Sequence, residues 1–225
     1  GLGYHILINY KGNESAALET QQQCIALGVD AELLKFDVGD KSDIEKVLGA
    51  WVTLAEKNAL VEVLVNNAGV RHDTLMSFMS DTQWSEVIDT SLQGMFFVTR
   101  TVLNPMLMNR FGRIINIVSL SGLKGMPGQV NYSAAKAGMH GFTKTLAMEV
   151  AKYGITVNTI SPGYIGTDMV MAVPEKVREQ IVSQIPMGRL GGTHEVAHLV
   201  SFLASDKTNF ITGANYSING GQHVY

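Results

Sequence analysis

Val63-Leu64-Val65-Asn66-Asn67-Ala68-Gly69 is the stretch on which the fold turns. Its first three residues are apolar and adjacent, as in a strand buried on both faces rather than one with a wet side. The run then breaks into Asn-Asn-Ala-Gly. Small residues there let the backbone come close to a flat ligand, and the Asn amides can pin neighbouring strands by hydrogen bonds. At this composition the tetrapeptide arises by chance in about one chain in a hundred or fewer. The plain alternative is an ordinary strand-ending turn.

Other short apolar runs read the same way: His5–Asn9, Glu32–Phe36, Val61–Val65, Arg113–Val118, Thr156–Ile160 and Asn215–Ile218. Helix-length segments lie between them. Ser42-Asp43-Ile44-Glu45 reads as a capping box, followed by Ile44, Val47, Leu48, Trp51 and Leu54 at helical spacing. Ser80-Asp81-Thr82-Gln83 is a second box, opening a helical stretch to about Asn109. Gln129–Tyr153 is a third long helix, and Thr193 caps a fourth over Glu195–Leu203. Strands alternating with crossovers of helical length predict a doubly wound parallel α/β sheet of the Rossmann type, as a single domain over residues 1–225. Ser161–Gln184 is the least regular segment. It is expected to form a lid where ligands of open α/β sheets bind, the alternative being a surface helical excursion.

Composition narrows the class. The 225 residues are 46% hydrophobic and 16% charged, which excludes a disordered or fibrous chain. Seventeen Lys and Arg against 20 Asp and Glu give a net charge of −3, unlike a protein that coats nucleic acid. The single cysteine, Cys24, allows no internal disulfide. With no secretory pattern and no long apolar run, the expectation is a cytoplasmic protein with no membrane span.

Tyr132-Ser133-Ala134-Ala135-Lys136 opens the third helix, and four-residue spacing puts Tyr132 and Lys136 on one face. Ser119 ends the preceding strand, thirteen residues earlier, and can converge with them above the sheet. A Tyr titrates near 10, too high for proton exchange at neutral pH, and a nearby ammonium lowers that by roughly 1–3 units. Tyr132 then becomes a usable general acid/base, and a Ser hydroxyl steadies a carbonyl oxygen as charge builds on it. Such a trio suits carbonyl reduction or alcohol oxidation with a hydride cofactor.

Asn66-Asn67-Ala68-Gly69, Gly112-Arg113-Ile114-Ile115-Asn116-Ile117, Gly128-Gln129-Val130-Asn131-Tyr132, Lys136-Ala137-Gly138, Gly154-Ile155-Thr156-Val157-Asn158, Ser161-Pro162-Gly163 and Asn219-Gly220-Gly221 together resemble the short-chain dehydrogenase/reductase family. Within it the chain is most similar to 3-oxoacyl-[acyl-carrier-protein] reductases. The resemblance implies Tyr132 as proton donor, Lys136 as its activator and a ligand of the nicotinamide ribose, and Ser119 as the group orienting the substrate carbonyl. It gives Asp37 and Val38 to the adenine, Asn67, Ala68 and Gly69 to the cofactor cleft, and Pro162, Gly163, Ile165 and Thr167 to the nicotinamide side. The strand-end sequence Asn9-Tyr10-Lys11 has a base and no acid, which favours NADPH over NADH. An acyl carrier protein is the implied partner, and a homotetramer the implied assembly.

Three departures qualify the resemblance. The family's opening strand and glycine-rich turn have no counterpart, so the sheet is expected to lack a central strand and the pyrophosphate its helix N-terminus. Ser91 stands where the family carries an Asn that holds a water linking the catalytic Lys to solvent. The basic docking positions match only in part, through Arg110, Arg113 and Lys152, with Lys124 nearby.

Rival readings are a zinc peptidase built on His194-Glu195-Val196-Ala197-His198, which matches H-E-x-x-H but lacks a good third ligand, and a non-catalytic scaffold. A polyketide ketoreductase or small-alcohol dehydrogenase stays within the family. No metal ligand set is expected. Met169 and Met171 suit an adaptable wall for an acyl chain, while Met106, Met108 and Met148 suit core or interface filling.

Overall fold

A computed structural model describes residues 2–55 and 60–224, with the side chain of Met169 left out. Among the described residues six strands form: β1 (Ile6–Tyr10), β2 (Ala31–Lys35), β3 (Val63–Asn66), β4 (Gly112–Ile117), β5 (Ile155–Pro162) and β6 (Asn215–Ile218). They match the six apolar runs of the sequence: β6 coincides with its run, and the ends of the others are shifted by one or two residues. All pairings are parallel, but the strands fall into two groups. β1 pairs with β2, and a separate four-stranded sheet runs β3-β4-β5-β6.

The helices follow the sequence with instructive shifts. α1 (Glu14–Ala26) starts on Asn13, whose side chain accepts from the Ala16 N–H. α2 (Lys41–Ile44) is capped by Asp40, not by a box at Ser42, because the Asp40 carboxylate takes the N–H groups of Ser42 and Asp43. Asp43 turns away to accept the Asp37 N–H at 2.7 Å. A π-type turn (Glu45–Gly49) joins α2 to α3 (Ala50–Ala55).

The Ser80–Gln83 capping box forms as expected and opens α4 (Asp81–Ile88). A second π-type turn, Asp89–Gln93, leads to α5 (Gly94–Asn109). After β4 come the short α6 (Ser121–Lys124) and the long α7 (Val130–Val150). The lid segment folds as α8 (Asp168–Met171) and α9 (Glu175–Ser183). α10 (Thr193–Ala204) is capped at Gly192 rather than Thr193, since Glu195 reaches back to the Gly192 N–H.

The four-stranded sheet is covered on both faces. Ile114, Ile155 and Val157 face the core made with Val98, Val102 and Met106 of α5 and Leu146, Ala147 and Val150 of α7. Ile115 and Ile160 face the opposite way, onto Leu203 and Ala204 of α10. β4 and β5 are almost wholly buried, as their unbroken apolar sequences require. Thus the doubly wound α/β reading holds. Among the described residues no helix is long and apolar enough to cross a membrane.

Candidate active site

Helix α7 rises from a loop beside the carboxyl end of β4, and this fixes Ser119, Tyr132 and Lys136 together. Ser119 follows β4 and its hydroxyl accepts the Ser121 N–H at 3.2 Å. Ser119 also stands close enough to the Tyr132 phenol to lower its pKa. Lys136, 3% exposed, lies one turn below Tyr132 and donates to the Ile117 carbonyl at 2.9 Å, with its Nζ 5.5 Å from the Tyr132 ring centroid.

Such proximity needs Gly122, because a Cβ there would lie 2.8 Å from the Lys136 carbonyl carbon and 2.9 Å from its Cβ. Asn131 holds the start of α7. It accepts the Tyr132 N–H at 2.8 Å and donates to the carbonyls of His72 and Gln83 at 3.1 and 3.0 Å.

The electrostatics of Tyr132 begin with its burial. Burial raises the Tyr132 pKa above its ordinary value, Ser119 and Arg71 lower it, and Asp73 raises it. Lys136 is the second buried ionisable group here. Its ammonium is tied to the Ile117 carbonyl, and burial pushes its own pKa down to about 8. Arg71 and Asp73 pair at 3.3 Å, and Gln129 donates to Asp73 at 3.0 Å, so a charged strap crosses beside Tyr132. The sequence reading missed this strap. Its only signal was the position of Arg71-His72-Asp73 directly after the Asn-Asn-Ala-Gly turn.

The turn itself behaves as read. Asn66 donates to Asn116 at 2.8 Å and to Thr99 at 3.1 Å, and Asn116 continues to Thr143 at 2.8 Å, pinning β3 to β4 and to helices α5 and α7. Asn67 and Ala68 line a cavity of about 620 Å³, together with Val38, Thr90 and Ser91. Ser91 sits in the π-type turn before α5. Its hydroxyl is buried with no partner among the described residues. A Cβ on Gly69 would lie 3.4 Å from that hydroxyl and 3.6 Å from the Lys136 Nζ, so Ser91 and Lys136 converge over Gly69.

Asp37 is held by the Gly39 N–H at 2.9 Å and by Lys11 at 2.6 Å, which keeps its carboxyl below the usual range despite partial burial. Pro162, Gly163, Ile165 and Thr167 follow β5 on the same carboxyl side. The Pro162 carbonyl takes the Leu120 N–H at 3.0 Å, and Ile165 bridges to Gly191. The Asn66–Ala68 end of the cavity, the Ser119–Tyr132–Lys136 cluster and this segment therefore share the carboxyl end of the sheet. Ligands of open α/β sheets bind at that end.

A family described as enoyl-(acyl carrier protein) reductase matches residues 2–223. An acetoacetyl-CoA reductase from Rhizobium meliloti (strain 1021) is 49% identical over 222 residues, covering 98% of this chain and 89% of the relative. One from Shinella zoogloeoides is 48% identical, covering 98% and 88%. A 3-oxoacyl-[acyl-carrier-protein] reductase from Staphylococcus aureus (strain N315) is 40% identical, covering 99% and 89%. The chain belongs to the short-chain dehydrogenase/reductase family. It is an oxidoreductase of that family, and nicotinamide dinucleotides are the family's cofactors.

The family assignment leaves some residues elsewhere. Arg113 cannot be a docking residue. Its side chain is fully buried, packs 4.3 Å from the Phe111 ring centroid and donates to Asn209 and to the carbonyls of Ser205, Gly112 and Gly154. A strand residue at the edge of a two-sided core has no route to solvent, which its charge alone did not reveal. Arg110 and Lys152 do lie on the surface, joined by an Arg110 donation to the Lys152 carbonyl at 3.0 Å.

The H-E-x-x-H segment is structural. Glu195 takes a two-pronged bond from Arg189 at 2.8 and 2.9 Å and the Gly192 N–H at 2.6 Å, which hold it down to about 2, useless as a base at neutral pH. Met171 is half exposed beside α9, and the Met169 side chain lies outside the described residues.

Proposed function

We propose that the protein reduces the 3-oxo group of a short 3-oxoacyl thioester with NADPH. One observation carries this reading: Ser119 stands beside a buried Tyr132 that rests on a buried Lys136, at the carboxyl end of a parallel sheet. Burial keeps the Tyr132 phenol protonated through neutral pH, as a proton donor in reduction must be. Ser119 hydrogen-bonds the substrate carbonyl oxygen and holds it against the phenol. The Tyr132 O–H then passes its proton to that oxygen as negative charge develops there.

The cleft suits a dinucleotide. Val38, Asn67 and Ala68 wall it, and the absent Cβ of Gly69 leaves Lys136 and the unpartnered Ser91 hydroxyl open to a ligand or a water. When bound there, the nicotinamide supplies the hydride. Asp37 and Val38 would hold its adenine end, Lys136 its ribose, and Pro162, Gly163, Ile165 and Thr167 would flank the nicotinamide. Ser91 and a water would return a proton to Lys136.

NADPH is favoured by Lys11. It lies 2.6 Å from Asp37 with most of its side chain in solvent, so it can turn to a ribose phosphate.

Of two carriers for the acyl group, coenzyme A is supported by the 49% and 48% identity to acetoacetyl-CoA reductases. The acyl carrier protein remains the second reading. It rests on the exposed Arg110 and Lys152 and on the 40% identity to a reductase of carrier-bound substrates, but the buried Arg113 no longer contributes.

The test is NADPH consumption with acetoacetyl-CoA and with acetoacetyl carrier protein. Tyr132→Phe and Lys136→Ala are each expected to cost orders of magnitude in turnover. A variant with near-wild-type rates removes the mechanism. A kcat/KM higher for the carrier protein, and lowered by Arg110→Glu, moves the substrate to the second reading.

A further inference from the structure

The chain leaving β5 turns out of the sheet, and each backbone group there needs a new partner. The ladder with β6 ends at Pro162 and Ile218, and the Gly163 N–H adds one further bond to the Ile218 carbonyl at 3.0 Å. Just beyond, the Tyr164 carbonyl accepts the Gly191 N–H at 3.0 Å. The Tyr164 N–H falls between these two main-chain anchors. It donates instead to a side chain, the Gln222 Oε1, at 3.2 Å and across 58 positions of sequence.

A tight loop brings Gln222 there. Gly220 and Gly221 take φ of 59° and 87°, which turns the chain directly after β6. Asn219 is buried and closes the loop from inside. Its side chain accepts the Gly221 N–H at 3.0 Å and donates to the His223 carbonyl at 3.1 Å, while its carbonyl accepts the Gln222 N–H at 3.1 Å. Gly163 makes room for this loop. A Cβ on Gly163 would come 2.5 Å from the Gln222 Oε1 and 2.9 Å from the Asn219 Cα, and the second of these is backbone. The same loop also holds the chain that follows the lid helices α8 and α9. There the Met187 N–H donates to the Gly220 carbonyl at 3.1 Å, and a Cβ on Gly220 would come 2.8 Å from Ile185. One loop thus grips the chain on both sides of the lid, and Gln222 is its polar contact on the Pro162–Thr167 side.

Without that acceptor the Tyr164 N–H would be left partly buried and unpaired. The Gly163–Tyr164 peptide could then turn to find another partner, because Gly163 has no side chain to resist rotation. A shift of about 1 Å in a group that orients a reactant can cost about a hundredfold in rate.

We propose that Gln222 is a positioning residue for the reduction. By holding the Tyr164 N–H it sets where the backbone of Gly163 and Ile165 stands beside the nicotinamide. It acts through that peptide and takes no part in the proton transfer. The inference rests on the proposed place of Pro162, Gly163, Ile165 and Thr167 on the nicotinamide side.

The test compares the 225-residue protein with two variants. Gln222→Met keeps the length of the side chain and removes the acceptor; Gln222→Glu keeps an acceptor. The first readout needs no cofactor. Amide hydrogen exchange at Tyr164 should be about tenfold or more faster in Gln222→Met than in the parent, and close to the parent in Gln222→Glu. The second readout is NADPH consumption with acetoacetyl-CoA. In Gln222→Met kcat should fall about tenfold or more while KM for acetoacetyl-CoA stays within about twofold, and Gln222→Glu should recover most of the loss. Unchanged exchange at Tyr164 in Gln222→Met overturns the proposal. So does a fall in kcat matched by a rise in KM, or an equal loss in both variants. An active parent matched in kcat by Gln222→Met removes the positioning role alone. A parent without turnover removes the reduction reading, and this inference with it.

Discussion

A buried lysine beside a tyrosine costs stability, and that cost is a handle on the site. Lys136 is almost wholly buried, pairs with no carboxylate among the described residues and has its pKa pushed down to about 8. The unfolded chain keeps Lys near 10.4. Between those two values the unfolded state holds more protons than the folded one, so stability rises with pH from about 8 to about 10.5. The penalty is fully present below pH 8. Lys136→Met removes it, leaving only the Ile117 carbonyl without a donor. The variant is expected to be inactive yet more stable than the parent at pH 7, by about 1–2 kcal/mol after the carbonyl's loss is set against the gain. Denaturant midpoints across pH 7 to 10.5 check this: the gap should narrow as pH rises, and a constant gap would show that burial does not shift Lys136.

Tyr132 gives a second prediction with the opposite sense. Burial raises its pKa, so the phenolate needed to take a proton in alcohol oxidation forms only in alkaline solution. Oxidation of a 3-hydroxyacyl thioester should therefore accelerate with pH through the range where reduction is flat. Steady-state rates in both directions measure it. The three residues were legible because their chemistry is unusual at that spacing. Spacing gave Lys136 and Tyr132 their shared face, but not the ammonium's donation to the Ile117 carbonyl. The burial of Arg113 was hidden for a related reason: four of its acceptors come from residues 41 to 96 positions away or from its own strand's backbone.

Elements are placed by apolar period and caps, but the closeness with which they pack depends on single glycines that no pattern marks. Two govern the site. Gly122 lets the segment after β4 lie on α7, and Gly94 lets the start of α5 lie against β2's exit, where a Cβ would come 2.7 Å from the Val38 carbonyl oxygen. In both places the obstructing atoms include backbone, so relief requires moving an element. Gly122→Ala should separate Ser119 from Tyr132. The expectation is a loss of about 1–3 kcal/mol of stability, typical of overpacking, and a fall in kcat larger than the change in KM. Thermal unfolding and kinetics of the one variant read both. If kcat holds while stability falls, the Ser119–Tyr132 approach is not what the glycine protects. Strand and helix identities were legible from adjacent apolar residues and from the Ser80 box, which formed as read. The Ser42 box did not, because Asp40, two residues ahead, accepts the N–H groups of Ser42 and Asp43 and starts the helix there, leaving Ser42 inside it.

At the scale of the whole molecule, the sequence showed a sheet covered on both sides, and apolar helix faces but not which of them meet solvent. Met106 lies in the core, whereas Met108 and Met148 are 86% and 77% exposed. Trp84 on α4 and Phe96 and Met108 on α5 are exposed. Phe96 leans on Phe97 with centroids 5.2 Å apart, and the Arg100 guanidinium lies 4.9 and 5.5 Å from the two rings. Aromatic residues and arginine on an open helix face are the composition of an interface centre rather than of a solvated surface. The homotetramer implied by the resemblance would bury this face. Phe96→Asp places a charge at its middle without touching the core, since Phe96 is already 41% exposed. Loss of a central aromatic anchor typically costs about 2 kcal/mol or more, roughly a thirtyfold weaker association. Sedimentation velocity should show the parent as an assembly and the variant shifted to smaller species at the same concentration, with an unchanged circular dichroism spectrum. Because Ser91 sits in the turn that leads directly into α5, the dissociated variant should also lose part of its turnover. A parent that already sediments as a monomer would return this face to solvent.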